Sequence, residues 1–323
     1  MFKRIQKRIE KRVWMQLKPA LDAELNKLRY AVTQLRIENR LLRGDAFNPP
    51  NGRIAPTADM PFLQYSNCQS EDFYHPRYTQ LSQLIHQSPT LHRKQWEWIF
   101  ILHNILESGV LKLGSRGLVF GVGVEPLPAV FAKLGAFITA TDAPSEMEGA
   151  EAWKNTAQHG ANVDALLCPY IMPDNLFRER VTYQPCDMND IDPNLSGYDF
   201  NWSSCCFEHL GSIEAGLDFV VNAVENTLKI GGIAVHTTEF NLSSNDDTVS
   251  EGGTVLFRKR DMETLIERLR DRGHIVQDFT LGPNDHLLDQ HVDTPPYQQD
   301  IHLKLLLANY VSTSVGIVVR RGR

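Results

Sequence analysis

Apolar residues recur at alternating steps of three and four near the start of the chain: Leu21, Leu25, Leu28, Val32 and Leu35, then Asn39, then Leu42. This pattern predicts a coiled-coil helix with one polar core position, a device that fixes register and favours two strands. A single amphipathic helix lying on its own domain is the competing reading. Ahead of the seam, Phe2, Ile5, Ile9, Val13 and Leu17 form a stripe among Lys and Arg. Such a stripe suits an anionic membrane or a partner protein, or is a solvated helix face. The stretch from Gly44 to Pro61 has no period and is dense in Pro, Gly, Asn and Asp, so it reads as a linker containing the domain boundary. The organisation expected is a basic, coiled-coil helix over 1–43, a linker over 44–75 and a domain over 76–323.

Within that domain, "SPTLHRKQWEWIFILHNILESG" predicts a helix with Ser88 as N-cap, Pro89 at the first position and Gly109 as the stop. From Gly117 onward the period switches back and forth between strand and helix. "GLVFGVG", "AFITATD", "VTYQP", "YDFNWSS", "GGIAVHTTEF", "HIVQDFTL" and "VSTSVGIVVRR" read as strands. Between them, "EPLPAVFAKLG", "SEMEGAEAWKNTAQ", Ile213 to Leu228 and Asp261 to Arg270 read as helices. This alternation predicts an α/β fold, Rossmann-like, with a mostly parallel sheet covered by helices on both faces. A ligand then belongs at the carboxyl edge of the strands, where the strand order reverses.

Composition narrows the picture. The 323 residues are 42% hydrophobic and 22% charged, enough to bury a full core. The net charge of −6 conceals an asymmetry: residues 1–18 carry a local +6, leaving −12 on the rest. A body this acidic disfavours nucleic-acid binding, which needs a basic surface. Five cysteines without a C-x-x-C pair suggest neither a disulfide framework nor a zinc site, and a cytoplasmic setting is expected. No signal peptide or spanning segment is expected, although the basic terminus would allow peripheral contact with the inner membrane face.

The candidate chemistry begins at "LVFGVGVEPLP". Gly121 and Gly123 follow a strand and precede a helix, so the backbone can turn tightly and come close to a bound molecule. A dinucleotide would bring its pyrophosphate to the helix N-terminus, against Glu125. S-adenosylmethionine has no phosphate and carries two positive groups, so Glu125 there is tolerable and can meet the methionyl amine. A carboxylate that merely complements the helix dipole is the alternative. Asp142 ends the next strand, 21 positions after Gly121, where a carboxylate can accept from both ribose hydroxyls or cap the following helix. Asp187 and Met188, after the third strand, are placed to meet an adenine amino group and cover its ring.

Taken in succession, "GLVFGVGVEPLPAVFAKLGAFITATD", "CDMNDI", "YDFNWSSCCFEHLGS" and "LKIGGIAVHTTEF" resemble the motifs of class I S-adenosylmethionine-dependent methyltransferases. The likeness spans about Arg93 to Arg323, "HRKQWEW" included, and is closest to bacterial members that act on glycans and cell-surface polysaccharides. Val119 and Glu125 depart from the general pattern, which has an acidic residue and a third glycine there. The resemblance implies a seven-stranded sheet with an antiparallel last strand, S-adenosyl-L-methionine as cofactor, and Gly121, Gly123, Asp142 and Asp187 as its contacts. The expected function is O-methylation of a sugar or glycan precursor; a small-molecule acceptor and association with a glycosyltransferase complex through residues 1–43 are compatible with it, as is a homodimer.

Methyl transfer from a sulfonium needs alignment, and a hydroxyl acceptor also needs a base. Two pairs fall at the functional edge: Glu208 and His209 after the fourth strand, and His236 and Glu239 near the end of the fifth. His236 could equally be buried under a helix. In "DQHVDTPPYQQDIHLKL", His291, Asp293, Tyr297 and His302 lack tight ligand spacing, so no metal centre is expected. Two rival functions stay in view: a cofactor-binding scaffold without turnover, and a nicotinamide-dependent oxidoreductase.

Overall fold

The computed structural model describes residues 57–144, 160 and 162–323, together with residues 11, 13–21, 23–25, 27, 28, 31, 32 and 35 of the N-terminal segment. The chain divides into two compact units, Met1–Ala55 and Pro56–Arg323. In the first, the described residues are helical, and Leu21, Leu25, Leu28, Val32 and Leu35 are all exposed. Asn39, Leu42 and the Phe2, Ile5, Ile9 stripe lie outside the described residues, as does the helix expected over 145–158.

Among the described residues, the second unit is built on ten strands: β1 Arg116–Phe120, β2 Phe137–Asp142, β3 Val181–Pro185, β4 Tyr198–Ser204, β5 Gly211–Ser212, β6 Leu228–Asn241, β7 Glu251–Gly252, β8 Ile275–Val276, β9 Lys304–Leu307 and β10 Tyr310–Arg320. Eight of them form one sheet in the order β3-β2-β1-β4-β6-β10-β8, with β9 added to β10, while β5 and β7 pair separately. The β1, β2, β3, β4 and β6 pairings are parallel, and β10 runs antiparallel to β6, β8 and β9. The order reverses between β1 and β4, which opens the crevice expected of a doubly wound sheet at their carboxyl ends.

Eight strands, rather than the expected seven, arise from β9. It joins β10 through Ala308 and Asn309, whose φ values of 49° and 71° make a two-residue turn of positive φ. Asn is at home there and Ala is not, so the hairpin carried little signal in the sequence.

Parallel strands covered on both sides must be apolar on both sides. On one face, Phe131 of the Leu127–Lys133 helix meets Phe200 and Trp202 of β4 at ring separations of 5.3 and 5.0 Å. The Arg93–Glu107 helix lies beside them, its Phe100 stacked on Trp96 and pressed onto Gly316 of β10, where a Cβ would collide with the ring. On the other face, the Ile213–Asn222 and Lys259–Asp271 helices bury Phe219, Met262 and Leu265 against Phe120, Phe207 and Phe257. Each such fully buried side chain contributes about 1.5–3 kcal/mol.

Two boundaries differ from expectation. The helix starts at Arg93, not at Ser88 and Pro89, because residues 91–93 are drawn into pairing with His302: its amide donates to Leu91, and the Arg93 amide donates to its carbonyl. His92 becomes the N-cap, accepting from the Lys94 amide at 3.1 Å. The end of the expected linker is likewise built into the domain. Leu63 and Cys68 are buried, Asn67 bridges Val315, and Ser70–Tyr74 is a short helix whose first residue donates to Asp289.

Candidate functional site

The crevice begins with the glycine turn. Gly121 and Gly123 have φ of 58° and 53°, a region that disfavours side chains. A Cβ on Gly121 would stand 2.9 Å from Cβ and Sγ of Cys206, so the turn closes directly on the segment after β4. Cys206 is pinned in return by its thiol, which donates to the Phe120 carbonyl at 3.3 Å. Met188 reaches the same place, with its sulfur 3.9 Å from that added Cβ. The apolar cover expected from "CDMND" therefore lies against the turn, while Asp187 is half-buried and accepts from the Asn189 amide at 2.8 Å.

Asp142 is buried at the end of β2. Its Oδ2 accepts from the amides of Gly123 at 3.0 Å and Gly160 at 2.9 Å, and its Oδ1 accepts from Ala143 at 2.8 Å. A carboxylate has about four acceptor positions, so this one ties down the turn and keeps capacity for a ligand hydroxyl.

Glu125 occupies a position that changes the argument drawn from its charge. It is turned inward and accepts from the indole of Trp202 at 2.5 Å. Burial pushes its pKa up to about 8, against the opposing effect of that indole N–H. A carboxyl that is largely neutral cannot repel a pyrophosphate. The helix start disfavours a dinucleotide for another reason: Pro126 and Pro128 have no amide to offer, and the amides of Gly123, Glu125 and Ala129 are already given to Asp142, Val122 and Pro126. Most of the donors that could hold a pyrophosphate at this helix N-terminus are therefore missing or spent.

Across the crevice, the segment after β4 carries the candidate base residues. Cys205 has a φ of 48°, a strained value that a non-glycine residue seldom adopts. Glu208 follows in a turn of 3-10 helix and is almost wholly buried. Its Oε2 accepts from the Thr238 hydroxyl at 2.9 Å, and among the described residues its Oε1 has no hydrogen-bond partner. Burial raises its pKa, opposed by the neighbouring His209. His209 is half-buried, with Nδ1 2.8 Å from the Gly253 carbonyl. A carbonyl partner fixes the proton on Nδ1, which sets the tautomer of the ring.

Beneath them lies a buried polar knot that sequence reasoning did not assign. Glu97 accepts from Ser314 Oγ at 2.5 Å, Ser204 Oγ at 3.1 Å and the Cys205 thiol at 3.0 Å, and pairs with Lys94 at 2.9 Å and Arg93 at 3.4 Å. Burial alone would raise its pKa, but Lys94 and Arg93 overcome this and hold it down to about 2. Arg93 continues to Glu239, which also accepts from Ser312 at 2.6 Å. Glu239 is thereby held in an ion pair. The available signal was a run of charges at Arg93, Lys94 and Glu97 on one face of an otherwise apolar helix, and a Ser-Thr-Ser step in an apolar last strand. Cys205, Glu208 and Glu239 bring ligand-type atoms within 4.8 Å of one another. Arg93 on Glu239 and the thiol's bond to Glu97 account for two of the three, so the cluster reads as a hydrogen-bonded knot.

His236 is separate from all of this. It is fully buried on the opposite face of the sheet, between Phe207 and Phe219, with Nδ1 2.8 Å from Ser203 Oγ. Burial lowers its pKa to about 3. It is a core histidine without exposure, which removes the support for it as a candidate base. The loop residues His302 and Asp293 are bonded to each other at 2.7 Å, Tyr297 donates to the Leu306 carbonyl, and the His302 ring stacks on His92 at 4.7 Å. They fasten the loop to the start of the Arg93–Glu107 helix.

No family model matches the chain, and no curated protein does. Among solved structures, it is similar to the methyltransferase domain of a bacterial Hen1, with 16% identity over 70% of this chain and 99% of that one and a TM-score of 0.43. It is also similar to the Haemonchus contortus phosphoethanolamine N-methyltransferase 2, solved with phosphomonomethylethanolamine and S-adenosylhomocysteine, at 14% identity over 76% and 57% of the two chains and a TM-score of 0.44. A third is the magnesium protoporphyrin IX methyltransferase of Synechocystis PCC 6803 with bound S-adenosylmethionine, at 12% identity over 71% and 79% and a TM-score of 0.38. At these values no residue of the site is carried across, and the fold assignment rests on this chain's own strand order: a mostly parallel Rossmann-like sheet with an antiparallel strand inserted between β6 and β8.

Proposed function

We propose that this protein is an S-adenosylmethionine-dependent methyltransferase that methylates an oxygen of a sugar or glycan precursor. The observation that carries the cofactor is the crevice itself. The Gly121–Gly123 turn, the Asp142 carboxylate and Met188 converge at the point where the strand order reverses, beside a helix start that two prolines and three spent amides leave poor in phosphate-binding donors. Asp142 would accept from the ribose, Met188 would cover the adenine with Asp187 beside it, and the backbone at Gly121 and Gly123 would run alongside the amino-acid portion. When bound, the cofactor supplies a methyl group on a sulfonium, which needs no acid catalyst to leave.

The oxygen acceptor is supported by the sequence resemblance and by a carboxylate where a base is needed. Glu208 keeps a buried oxygen without a partner at the carboxyl edge of β4, able to take a hydroxyl proton. His209 stands next to it as the second candidate. The exposed Leu21, Leu25, Leu28, Val32 and Leu35 seam supports a homodimer through the N-terminal helix, and its basic face supports contact with an acidic membrane or partner.

Calorimetric titration with S-adenosylmethionine, S-adenosylhomocysteine and NAD tests the cofactor. Binding of the first two, lost in Asp142→Ala and absent for NAD, is expected. Binding of NAD alone would sink the reading; binding of the first two without turnover on any hydroxyl acceptor would favour a scaffold.

A further inference from the structure

Glu208 stands in a setting that does not tolerate an unpaired charge. Its side chain is buried, Thr238 is its one hydroxyl donor among the described residues, its own backbone amide also favours the charged form, and Oε1 has no partner among those residues. Charged and titratable groups face it from every side. His209 shares its turn, Cys205 and Cys206 precede it, Glu239 approaches from β6, and Arg93 and Glu97 approach from the Arg93–Glu107 helix. The formal charges of Arg93, Lys94, Glu97 and Glu239 already cancel within the knot, and Arg93 is bonded to both carboxylates. Among the described residues, the Arg93 and Lys94 charges are thus spent on other carboxylates, and burial outweighs the opposing effect of His209 and draws the Glu208 carboxyl towards its protonated form.

The same segment lies against the cofactor turn. Cys206, two residues before Glu208, is in contact with Gly121 and bonded to Phe120. The segment that carries Glu208 therefore forms part of the crevice wall. On the functional reading above, on which this step rests, the ligand brings one new positive charge, the sulfonium, that its demethylated product lacks.

We propose that Glu208 is an acid at rest, and that it surrenders its proton to solvent when a sulfonium enters the crevice. Binding would thus arm the base only when the methyl donor is in place. The charge balance of the whole cycle supports this. Before binding, Glu208 is neutral. With donor bound, its carboxylate offsets the sulfonium. During transfer, the acceptor's O–H bond breaks as its O–C bond forms, the sulfur keeps the electron pair of the broken S–C bond, and the acceptor's proton passes to Glu208. The positive charge lost at sulfur reappears as that proton, and the crevice stays neutral at each stage. A site with little water to screen charge favours such a sequence, because no stage leaves an unpaired buried ion.

The test is proton counting by calorimetry on the full chain near neutral pH, in buffers of different ionisation enthalpy, with S-adenosylmethionine and S-adenosylhomocysteine in turn. The two ligands share the ammonium, ribose and adenine, so the difference in protons released isolates the sulfonium. We expect the methyl donor to release up to one proton more than the product, the difference to vanish in Glu208→Gln, and to persist in Glu125→Gln. Thr238→Val keeps the acid and removes its hydroxyl donor, so the difference should remain or grow, which guards against a poorly folded Gln variant. Equal release by two tightly bound ligands, or a difference that survives Glu208→Gln, overturns the coupling and leaves the cofactor reading standing. Failure of both ligands to bind overturns both.

Discussion

The Trp202 indole donates to the Glu125 carboxyl at 2.5 Å, joining the middle of β4 to the start of the helix that follows the glycine turn. A carboxyl at the mouth of a cofactor crevice is thereby made part of its wall, and its protonation becomes a matter of folding.

Glu125 should make stability fall as pH rises. Its folded pKa of about 8 exceeds the ordinary 4.5, so the native state holds a proton that the unfolded state releases. Stability is complete below the ordinary value and is lost as pH climbs through about 8, with a slope of at most about 1.4 kcal/mol per pH unit. Asp72, pushed up to about 8 by burial against the opposing Trp96 indole bond, adds in the same direction. Denaturant midpoints of Glu125→Gln across this range should show a shallower decline than the parent; an unchanged slope would exclude the residue as the source.

His236 acts with the opposite sign. With a folded pKa of about 3 against an ordinary 6.5, its contribution is present above the ordinary value and is lost as pH falls toward 3. His236→Ala should cost about 2–4 kcal/mol through the cavity it leaves. Methyl transfer per folded molecule should change less than threefold, a roughly 0.7 kcal/mol effect. A collapse of kcat in well-folded protein would return His236 to the mechanism.

Glu208→Gln removes the proposed base and should lower kcat by about 10²–10⁴-fold, with the affinity for S-adenosylhomocysteine changed little. Retention of kcat would shift the role to His209, which the His209→Ala variant then reads directly.

Gly121→Ala should abolish cofactor binding as well as lower the melting temperature. The φ of 58° alone costs a side chain about 1–2 kcal/mol, and the new methyl meets Cys206 at 2.9 Å. Normal affinity in this variant would mean that the turn does not approach the ligand.

The N-terminal seam predicts a change of mass. Light scattering should give a dimer for the full chain and a monomer when residues 1–43 are removed; monomers in both would exclude the coiled coil as the dimer contact.

The parts of this architecture that could be read in the sequence are local. Gly121, Gly123 and Asp142 fall within one strand-turn-helix-strand unit, where spacing alone fixes their meeting. The side chosen by His236 could not be read, because β6 is buried on both faces and gives no polar alternation to orient it. Glu97 was missed because its partners Ser204, Thr237 and Ser314 come from three other strands. The helix start was displaced from Ser88 for the same reason: pairing with His302 overrode a good local signal.

The convergence on Glu97 bears on how the protein matures. Its contacts span more than 200 residues of chain, from the Arg93–Glu107 helix to the last strand. Distant contacts are among the slowest to form, since their loop-closure entropy must be met before they stabilise anything. The Gly121–Asp142 unit can assemble from neighbouring sequence, whereas the knot beneath Cys205 waits for β10 to insert. A nascent chain would accordingly acquire its cofactor cradle before its acceptor side, and competence for chemistry would arrive only with the final strand.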